Sequence, residues 1–518
     1  MGYGEKGLAM SSEDSMRNSR LLVAGILLSV SLQGLSGEPA ATPTSPSGKG
    51  PVTTAMDAVA GGKRYDVCPS CDYRELTTVP WDSLRPGSVV NVFYRPEPYR
   101  TKIALRVSGT AKAHVVINGV TAPDGSRPVI SGDSAVTAAA NRNTGMYNDE
   151  HPEYGEGLAV VLIKRSQRDD PYGYKPKFID LKNLEIRSSY GRSYVAQNGQ
   201  QKRFEAWAAG VWVDVVEDLL IENCIVTDHS FGIFVNNRNA ERGVDAETSY
   251  RVTIRNSQVF GNGRVGSYYE HNLYVQAVGA LYEGNFIGRL RPGAEGSSLK
   301  DRSAGTIVRY NYIQCEARCM DLVHDESGSK KTRESPTSRA ADYDRAWVYG
   351  NLVVSDRSIS MIHFGGDNLG DGVGPYPTYR NGPLYVFHNT FVFNVDEWRS
   401  YVFDVQHAAG TVEAYNNVVY FGGKSTIRAW MNTYGTLNLH AGNWAQEGIV
   451  PARDGPTQAK VNQTGALLSG AGLTPDYRLR SPQAGAPLPS VLDAFPVDRV
   501  FNAPGGTAPR NNANVGAF

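Results

Sequence analysis

The sequence has few of the features that mark membrane proteins or nucleic-acid binders. Lys and Arg total 52 and Asp and Glu total 52, so the formal net charge of the 518 residues is zero. The strong basic excess that is typical of a nucleic-acid binder is therefore missing. The longest apolar run, Leu21 to Leu32, is too short to span a bilayer. We expect no nucleic-acid partner, no membrane span and a monomeric protein.

Motifs for nucleotide binding and for serine nucleophiles are also missing. The chain contains no Walker loop and no G-x-S-x-G elbow. What it does contain is 41% apolar residues, 20% charged residues, 55 Gly and 28 Tyr. The apolar content excludes a wholly disordered chain, and the combination of turn residues with aromatics favours β structure.

The N-terminus has the three-part layout of a secretory signal peptide. A short basic segment from Arg17 to Arg20 precedes the apolar run, and small residues follow it up to Gly37. We interpret residues 1–37 as the leader, with Met16 as an alternative start, and residues 38–63 as a flexible linker. The pattern predicts a secreted or periplasmic protein. A buried N-terminal helix is the alternative.

The five cysteines do not form a recognisable catalytic or zinc motif. Cys68 and Cys71 lack a second pair nearby, so in an exported protein they are expected to form a disulfide. A second disulfide between Cys315 and Cys319 is an open possibility. Cys224 lies in an apolar run and is interpreted as a buried small residue.

An internal repeat organises the chain. Short β-rich runs each reach an Asn and continue into a second apolar run, as in FIDLKNLEI and WVYGNLVV. The Asn residues are Asn183, Asn223, Asn256, Asn285, Asn311, Asn351, Asn389, Asn416 and Asn443. Their successive spacings are 40, 33, 29, 26, 40, 38, 27 and 27 residues, which is the range of solenoid repeats.

Each repeat reads as three short strands with a sharp bend at the Asn. Asn tolerates the left-handed conformation that such a bend requires, and in many repeats a third strand such as GIFVN or MDLVH follows. The pattern predicts an all-β parallel β-helix over residues 64–475, with three short strands per coil. A β-propeller is the alternative, but it would need hairpin turns that the chain has few of.

Segments at both ends of this region resemble a known superfamily. The stretch RPGSVVNVFYRPEPYRTKIALRVSGTAKAHVVINGV, followed by RPVISG, is similar to the first coils of secreted bacterial pectate-lyase-like proteins, which are right-handed parallel β-helices. DYRLRSPQAGAP and the final VGAF resemble the tail that closes such helices, which implies a closing tail over residues 476–518. The superfamily includes lyases, hydrolases, epimerases and non-catalytic binders, so the resemblance implies a fold rather than one activity.

Two segments in the middle of the chain are the strongest functional signal. EHNLYV (270–275) and SSLKDRSAGTIVRYN (297–311) are similar to a paired pattern in bacterial polysaccharide-lyase-like β-helices. On a strand, Lys300 and Arg302 share one face, and Asn272 and Tyr274 share another. Because Lys300 follows Asn272 by 28 residues, close to the local repeat, we expect the two pairs to stack on neighbouring coils.

Further polar residues fall at the same strand position in other repeats. These expected substrate-binding residues are Asn272, Asn236, His229, His324, His363 and Asp404, with Asp321 as the alternative to His324. Such a stripe would suit an anionic glycan. The alternative is an ordinary solvated outer face.

Cleavage of a uronate glycan by β-elimination would use this set directly. Arg302 suits neutralisation of the carboxylate, and Lys300 suits the role of base. His271 or Tyr274 would then handle the other proton. In the alternative assignment, Lys300 and Arg302 are only an electrostatic clamp, and His271 and Tyr274 supply base and acid. The sequence therefore favours a polysaccharide lyase with an acidic polysaccharide as its substrate.

Two other functions stay open at this point. A glycoside hydrolase would need two carboxylates at a suitable separation, and Asp321, Asp325, Glu326 and Asp404 are the candidates. A non-catalytic glycan-binding or structural β-helix would need no catalytic group. No cofactor is expected. The loop GGDNLGDGVG around Asp367 could suit Ca²⁺, but its spacing matches no specific calcium motif.

Overall fold

The computed structural model describes residues 49–518, except 60, 143, 148–154, 238–243, 328–331, 358–359, 367–374, 397–398, 433, 453–458 and 504. The predicted leader lies outside the described residues, as does the loop around Asp367. Within the described part of the chain, no helix is long and apolar enough to cross a membrane. The regular secondary structure of the described residues is almost entirely β.

Three long sheets run side by side along the molecule, and the chain visits them in turn. Sheet A has 13 strands: Arg64–Val67, Val89–Phe93, Val115–Val120, Lys177–Lys182, Glu217–Glu222, Tyr250–Arg255, Val278–Glu283, Ala304–Arg309, Ala346–Tyr349, Leu384–Phe387, Thr411–Tyr415, Thr436–Leu439 and Lys460–Gln463. Sheet B has 10 strands: Val129–Ser131, Glu185–Arg187, Ile225–Thr227, Gln258–Phe260, Phe286–Ile287, Tyr312–Cys315, Leu352–Ser355, Thr390–Phe393, Val418–Phe421 and Trp444–Ala445.

Sheet C has 14 strands and is the one that carries the candidate site. In spatial order they are Gln201–Arg203, Ser193–Val195, Ala135–Thr137, Thr101–Leu105, Ala159–Lys164, Ala209–Asp214, Phe231–Asn236, Leu273–Val275, Ser297–Asp301, Arg318–Leu322, Ser360–Phe364, Arg399–Val405, Ile427–Met431 and Val450–Ala452. A two-stranded ribbon, Arg499–Phe501 with Thr507–Pro509, lies in the C-terminal tail. The described α-helix is Pro336–Arg339, and short 3₁₀ turns are Leu76–Thr78, Trp81–Ser83, Ala139–Asn141, Glu156–Leu158, Asp245–Glu247 and Ser490–Leu492.

From Glu217 onward, each coil passes from sheet A through sheet B to sheet C and pairs in parallel with the coil before it. In one coil, Leu219 and Ile221 are buried in the core while Leu220 between them is half-buried on the outside. Ile221 aligns with Leu181 on one side and Ile254 on the other, so apolar side chains stack from coil to coil. The predicted all-β parallel β-helix with three strands per coil is confirmed.

The predicted bends lie between sheets A and B. The predicted Asn is the left-handed residue of the bend in some repeats and the residue after it in others. Asn183, Asn223, Asn256 and Asn416 adopt the expected left-handed conformation, with φ between 52° and 61°. In the other repeats this prediction was wrong, because the residue before the Asn takes that conformation, as Gly350 does at φ 64°. The Asn itself then turns into the core.

These buried Asn side chains form a continuous hydrogen-bonded series. We call it the asparagine ladder, and it consists of Asn285, Asn311, Asn351, Asn389, Asn417 and Asn443. Each side-chain amide donates to the carbonyl oxygen of the next Asn at 2.9 to 3.0 Å. The ladder includes Asn417 and not the predicted Asn416, since Asn416 is the left-handed residue of its turn.

The described part of the predicted linker contacts the first coils. The Thr53 backbone N–H donates to Thr121 Oγ1, and the Met56 N–H donates to Asn91 Oδ1. This part of residues 38–63 is therefore not a free linker. Cys68 and Cys71 form the expected disulfide, and Cys315 and Cys319 form the second one.

The C-terminal tail lies along the outside of the solenoid. Its residues Leu492 and Phe495 pack on the outward aromatics Trp347 and Tyr349 of sheet A, with the Phe495 and Trp347 rings 4.6 Å apart. Near its end, Val515 and Ala517 pack against outward residues of sheet B. The tail thus covers outer faces of sheets A and B, and none of these contacts involves the outer face of sheet C.

Candidate functional site

Five polar side chains lie in one row across sheet C, one on each of five consecutive coils. The strand register aligns, in order, Tyr274, Lys300, Asp321, His363 and Asp404. We call this set the polar row. The apolar residue that precedes each member in its strand belongs to the hydrophobic core, so strand alternation places the row on the outer face. Neighbouring members are about 4.8 Å apart at the backbone.

The middle of the polar row is a hydrogen-bonded chain of three charged or titratable groups. Lys300 Nζ donates to Asp321 Oδ2 at 2.7 Å, and Asp321 Oδ1 is bonded to His363 Nδ1. The side chains are buried, with 10% of Lys300, 1% of Asp321 and 2% of His363 exposed. Both carboxylate oxygens of Asp321 are therefore engaged by side chains of the row.

The electrostatics of this hydrogen-bonded group of three side chains depend on Asp321. Burial alone would raise its pKa, but Lys300, His363 and Arg318 outweigh that effect and hold the pKa well below its usual range. Arg318 lies on the same strand as Asp321, with Nη1 3.6 Å from Oδ2 and half of its side chain exposed. Asp321 is therefore an ionised carboxylate surrounded by positive charge and by His363.

Aromatic side chains continue the polar row on the coils before it. The register aligns Trp212 with Phe234 and Phe234 with Tyr274. The Trp212 and Phe234 rings are tilted against each other with centroids 4.1 Å apart, and the Phe234 and Tyr274 rings stack with centroids 4.9 Å apart. On the coil before Trp212 the aligned residue is Leu162, which packs under Met146. The half-buried aromatic strip therefore ends at Trp212 and leads directly to Lys300.

His271 lies beside Tyr274 and is almost completely buried. Its ring stacks on the Tyr274 ring at 5.9 Å, and its Nδ1 accepts a hydrogen bond from the Ser297 backbone N–H at 2.7 Å. Burial, together with the positive charges of Lys300 and Arg302, holds the pKa of His271 well below its usual range. The ring is therefore neutral, and its proton is on Nε2.

Arg302 and His324 lie together beside the polar row rather than in it. Arg302 Nη1 donates to the backbone oxygen of His324 at 2.7 Å, and Nη2 pairs with Glu326 at 3.1 Å. The His324 ring contacts the Tyr379 ring at 4.9 Å. The positive charge of Arg302 is therefore partly balanced by Glu326, whereas Lys300 pairs with Asp321.

The structure places Asn272 and His229 inside the wall of the solenoid. Asn272 is fully buried and its amide donates to the Gly288 carbonyl at 2.7 Å. His229 bonds through Nδ1 to Ser189 Oγ and through Nε2 to a backbone carbonyl, and burial lowers its pKa to about 4. The expectation that Asn272 shares a face with Tyr274 was therefore wrong. Asn236 is half-buried at the end of its strand, aligned with Asp214.

Sequence reasoning gave too little weight to three groups of residues. Asp321 was only an alternative to His324, yet it connects Lys300 to His363. Arg318, three residues before Asp321, could have been found as a cation on the same strand. Trp212 and Phe234 were overlooked, although WVD and FVN occupy equivalent places in their repeats.

The arrangement offers a cation, an ionised carboxylate and imidazole rings close together on the outer side of sheet C, where the side chains are largely buried. Asp404 continues the row and accepts a hydrogen bond from the Asn432 amide at 2.7 Å. Within the described ranges, no group of three or more His, Cys, Asp or Glu side chains is placed to hold a metal ion. The chemistry that the described side chains can perform is proton transfer and stabilisation of negative charge.

No protein-family description matches this chain, and no curated protein matches it in sequence. Several solved structures are similar in fold. An alginate lyase from Paenibacillus sp. str. FPU-7 is 13% identical, with 65% of this chain and 92% of that chain covered and a TM-score of 0.35. A lacto-N-biosidase from Eubacterium ramulus is 12% identical, with 79% and 68% covered and a TM-score of 0.43.

A pectate lyase is also similar, at 11% identity, with 70% of this chain and 76% of that chain covered and a TM-score of 0.34. At these identities the likeness does not extend to activity.

Proposed function

We propose that this protein cleaves an acidic, uronate-containing polysaccharide by β-elimination. The observation that carries the proposal is the chain Lys300–Asp321–His363 in the middle of an outward-facing polar row. β-Elimination needs a cation at the uronate carboxylate, a base for the adjacent proton, and a proton for the leaving oxygen. The resemblance of the segments around Tyr274 and Lys300 to polysaccharide-lyase-like β-helices supports the same reaction.

Lys300 is best suited to bind the carboxylate of the substrate. Its Nζ already donates to the ionised Asp321 in this arrangement, and an amine that serves as a donor beside a carboxylate is better suited to attract an anionic sugar than to accept its proton. Arg302 adds a second positive charge next to it, partly balanced by Glu326. His271 and Tyr274 lie on the preceding coil, where the Nε2–H and the hydroxyl are suited to hydrogen-bond the neighbouring sugar.

The test is to incubate the purified protein separately with alginate, pectate and glycosaminoglycans. We expect ultraviolet absorbance from a new unsaturated uronyl end with at least one of them. Lys300→Ala and Arg302→Ala should lower this activity by at least about 100-fold, the scale of a lost charge-stabilising group. The matched control is Lys177→Ala, which removes a half-exposed lysine paired with Glu217 on sheet A. This variant should keep the wild-type cleavage activity.

Other outcomes of the same assay would support the other functions. New reducing ends without the absorbance would indicate a glycoside hydrolase. Binding without cleavage would indicate a non-catalytic glycan-binding protein. Asp321 is a poor candidate for the general acid of a hydrolase, because its pKa is held well below the usual range and both of its oxygens are engaged.

We also propose that the protein acts outside the cytoplasm, since residues 1–37 have the pattern of a cleaved leader. Expression with the native N-terminus should release a mature form that begins near Glu38. N-terminal sequencing of exported material checks this. Exported protein that still begins at Met1 or Met16 would contradict the proposal.

A further inference from the structure

His363 has a different hydrogen-bonding pattern from the other histidines of the site. Its Nδ1 is bonded to Oδ1 of Asp321, and because that carboxylate is ionised, Nδ1 must be the donor. In the neutral ring the lone pair is then on Nε2. That atom is buried and has no hydrogen-bond partner among the described residues. A buried nitrogen without a partner is costly unless a ligand or water completes it.

Two other groups near the polar row, His271 and Lys300, are less suited to accept a proton. His271 uses its Nδ1 lone pair to accept the Ser297 N–H, so its outward nitrogen carries the proton. Lys300 is already a donor to Asp321. His363 combines a fixed tautomer, a free lone pair and a position one coil beyond the carboxylate that orients it.

We propose, on the basis of the lyase function above, that His363 is the general base of the reaction and that Asp321 is its positioning residue. Asp321 holds Nδ1–H, fixes the ring orientation and stabilises the imidazolium that forms. It also holds Lys300 next to the base. One buried carboxylate thereby sets the distance between the group that binds the uronate carboxylate and the group that removes the neighbouring proton.

The proposed step balances without any additional reactant. His363 Nε2 takes the proton from the carbon next to the uronate carboxylate, and the electron pair of that C–H bond becomes the new C=C bond. The bond from the adjacent carbon to the glycosidic oxygen breaks, and its electron pair stays on the oxygen. The imidazolium then gives its proton to that oxygen. The products are an unsaturated uronyl end and a free hydroxyl.

The kinetic test uses whichever of alginate, pectate or a glycosaminoglycan the wild type cleaves. His363→Gln should lower kcat by about 10²–10⁴-fold, the typical contribution of a general base, with KM changed less than about threefold. Asp321→Asn should lower kcat as well, since an amide no longer enforces the tautomer. The matched control is His440→Gln, which removes a histidine bonded to Glu413 on sheet A at 2.6 Å and should retain wild-type kcat.

A second measurement tests the inference without any activity. In ¹⁵N-histidine NMR at neutral pH, with the His363 signal assigned by its loss in His363→Gln, wild-type His363 should be the Nδ1–H tautomer. Asp321→Asn should shift that signal. An Nε2–H tautomer in the wild type, or a His363→Gln variant that keeps more than a tenth of wild-type kcat, would overturn the inference. Absence of cleavage of all substrates with the Nδ1–H tautomer present would overturn the proposed function instead, while the positioning of His363 by Asp321 would stand.

Discussion

At the scale of single residues, the chemistry of Lys300 is decided by a neighbour on another coil. A lysine on an outer strand is ordinarily a solvated charge of little consequence for stability. Here it donates to a carboxylate of which 1% is exposed. Removal of that carboxylate would leave Lys300 without this partner and His363 without its acceptor. The same three residues therefore contribute to the stability of the fold as well as to the candidate site.

Asp321→Ala should destabilise the protein by about 3–5 kcal/mol, because it breaks the buried ion pair with Lys300 and removes the acceptor of His363. Asp404→Ala is the matched comparison in the same row, and it should cost about 1 kcal/mol, because Asp404 is only half-buried and accepts one hydrogen bond from Asn432. Urea unfolding of both variants at pH 7.5 measures the difference. Equal losses of unfolding free energy for the two substitutions would show that the Lys300–Asp321 pair does not stabilise the fold more than Asp404 does.

Buried histidines predict a loss of stability in mild acid. Burial lowers the pKa of His229 to about 4 from an ordinary value of 6.5, and burial likewise lowers the pKa of His388 to about 3 and of His407 to about 4. Between pH 6.5 and 4 the unfolded chain binds protons that the native protein does not. The free energy of unfolding should therefore fall over this window, by roughly 1.4 kcal/mol per pH unit for each such group.

Urea unfolding at pH 7.5, 5.5 and 4.5 measures this slope. His229→Gln should make the pH dependence of the free energy of unfolding shallower by the contribution of one histidine, since glutamine does not titrate. A variant with an unchanged slope would show that His229 is not a neutral buried ring.

At the scale of elements, the turn between sheets A and B shows what the repeat encodes. In the repeats of the asparagine ladder, one left-handed residue is followed directly by one inward Asn. Asn416 and Asn417 fill both positions, and the ladder continues through Asn417. The spacing of Asn residues therefore located the turns correctly but could not say which of the two positions each Asn occupies.

The asparagine ladder should contribute measurably to stability. Asn351→Ala removes one buried member and leaves the neighbouring amide groups of Asn311 and Asn389 incompletely bonded, at an expected cost of about 1–3 kcal/mol or more. Asn462→Ala is the control, because Asn462 is exposed and donates to Asn438 at the end of sheet A. Chemical denaturation of both variants should show a loss for Asn351→Ala and almost none for Asn462→Ala.

At the candidate site, too, the sequence predicted the neighbouring segments but not which residues pair between their strands. The sequence offset aligned Lys300 with Asn272, whereas the structure aligns Lys300 with Tyr274. The coil that separates them is 26 residues long rather than 28, and a shift of two residues preserves strand parity. The offset therefore placed the correct segments on neighbouring coils, while the partner within the segment depended on the length of the intervening turn.

At the scale of the whole molecule, the tail beyond residue 475 is predicted to stabilise the solenoid by covering apolar surface. It covers outward aromatics of sheet A, among them Trp347 and Tyr349, which would otherwise form an exposed apolar patch. A chain truncated after residue 475 should bind an apolar dye and unfold at a lower temperature than the full chain. Dye fluorescence and thermal unfolding measure this. A truncated chain with the same Tm would show that the contacts contribute little.

The solenoid can be predicted from the sequence alone, because the alternation of apolar residues and the spacing of turn residues are local properties of each repeat. The sequence also identified Lys300, Arg302, His271, Tyr274 and His363 as candidates. Which of these candidates contact one another could not be predicted without the folded structure. Lys300, Asp321 and His363 come from three coils separated by connections of different length, so their contacts depend on the register of stacked strands. Burial of Asn272 and His229 has the same origin, since whether a side chain near a strand end turns inward is set by the turn that precedes it.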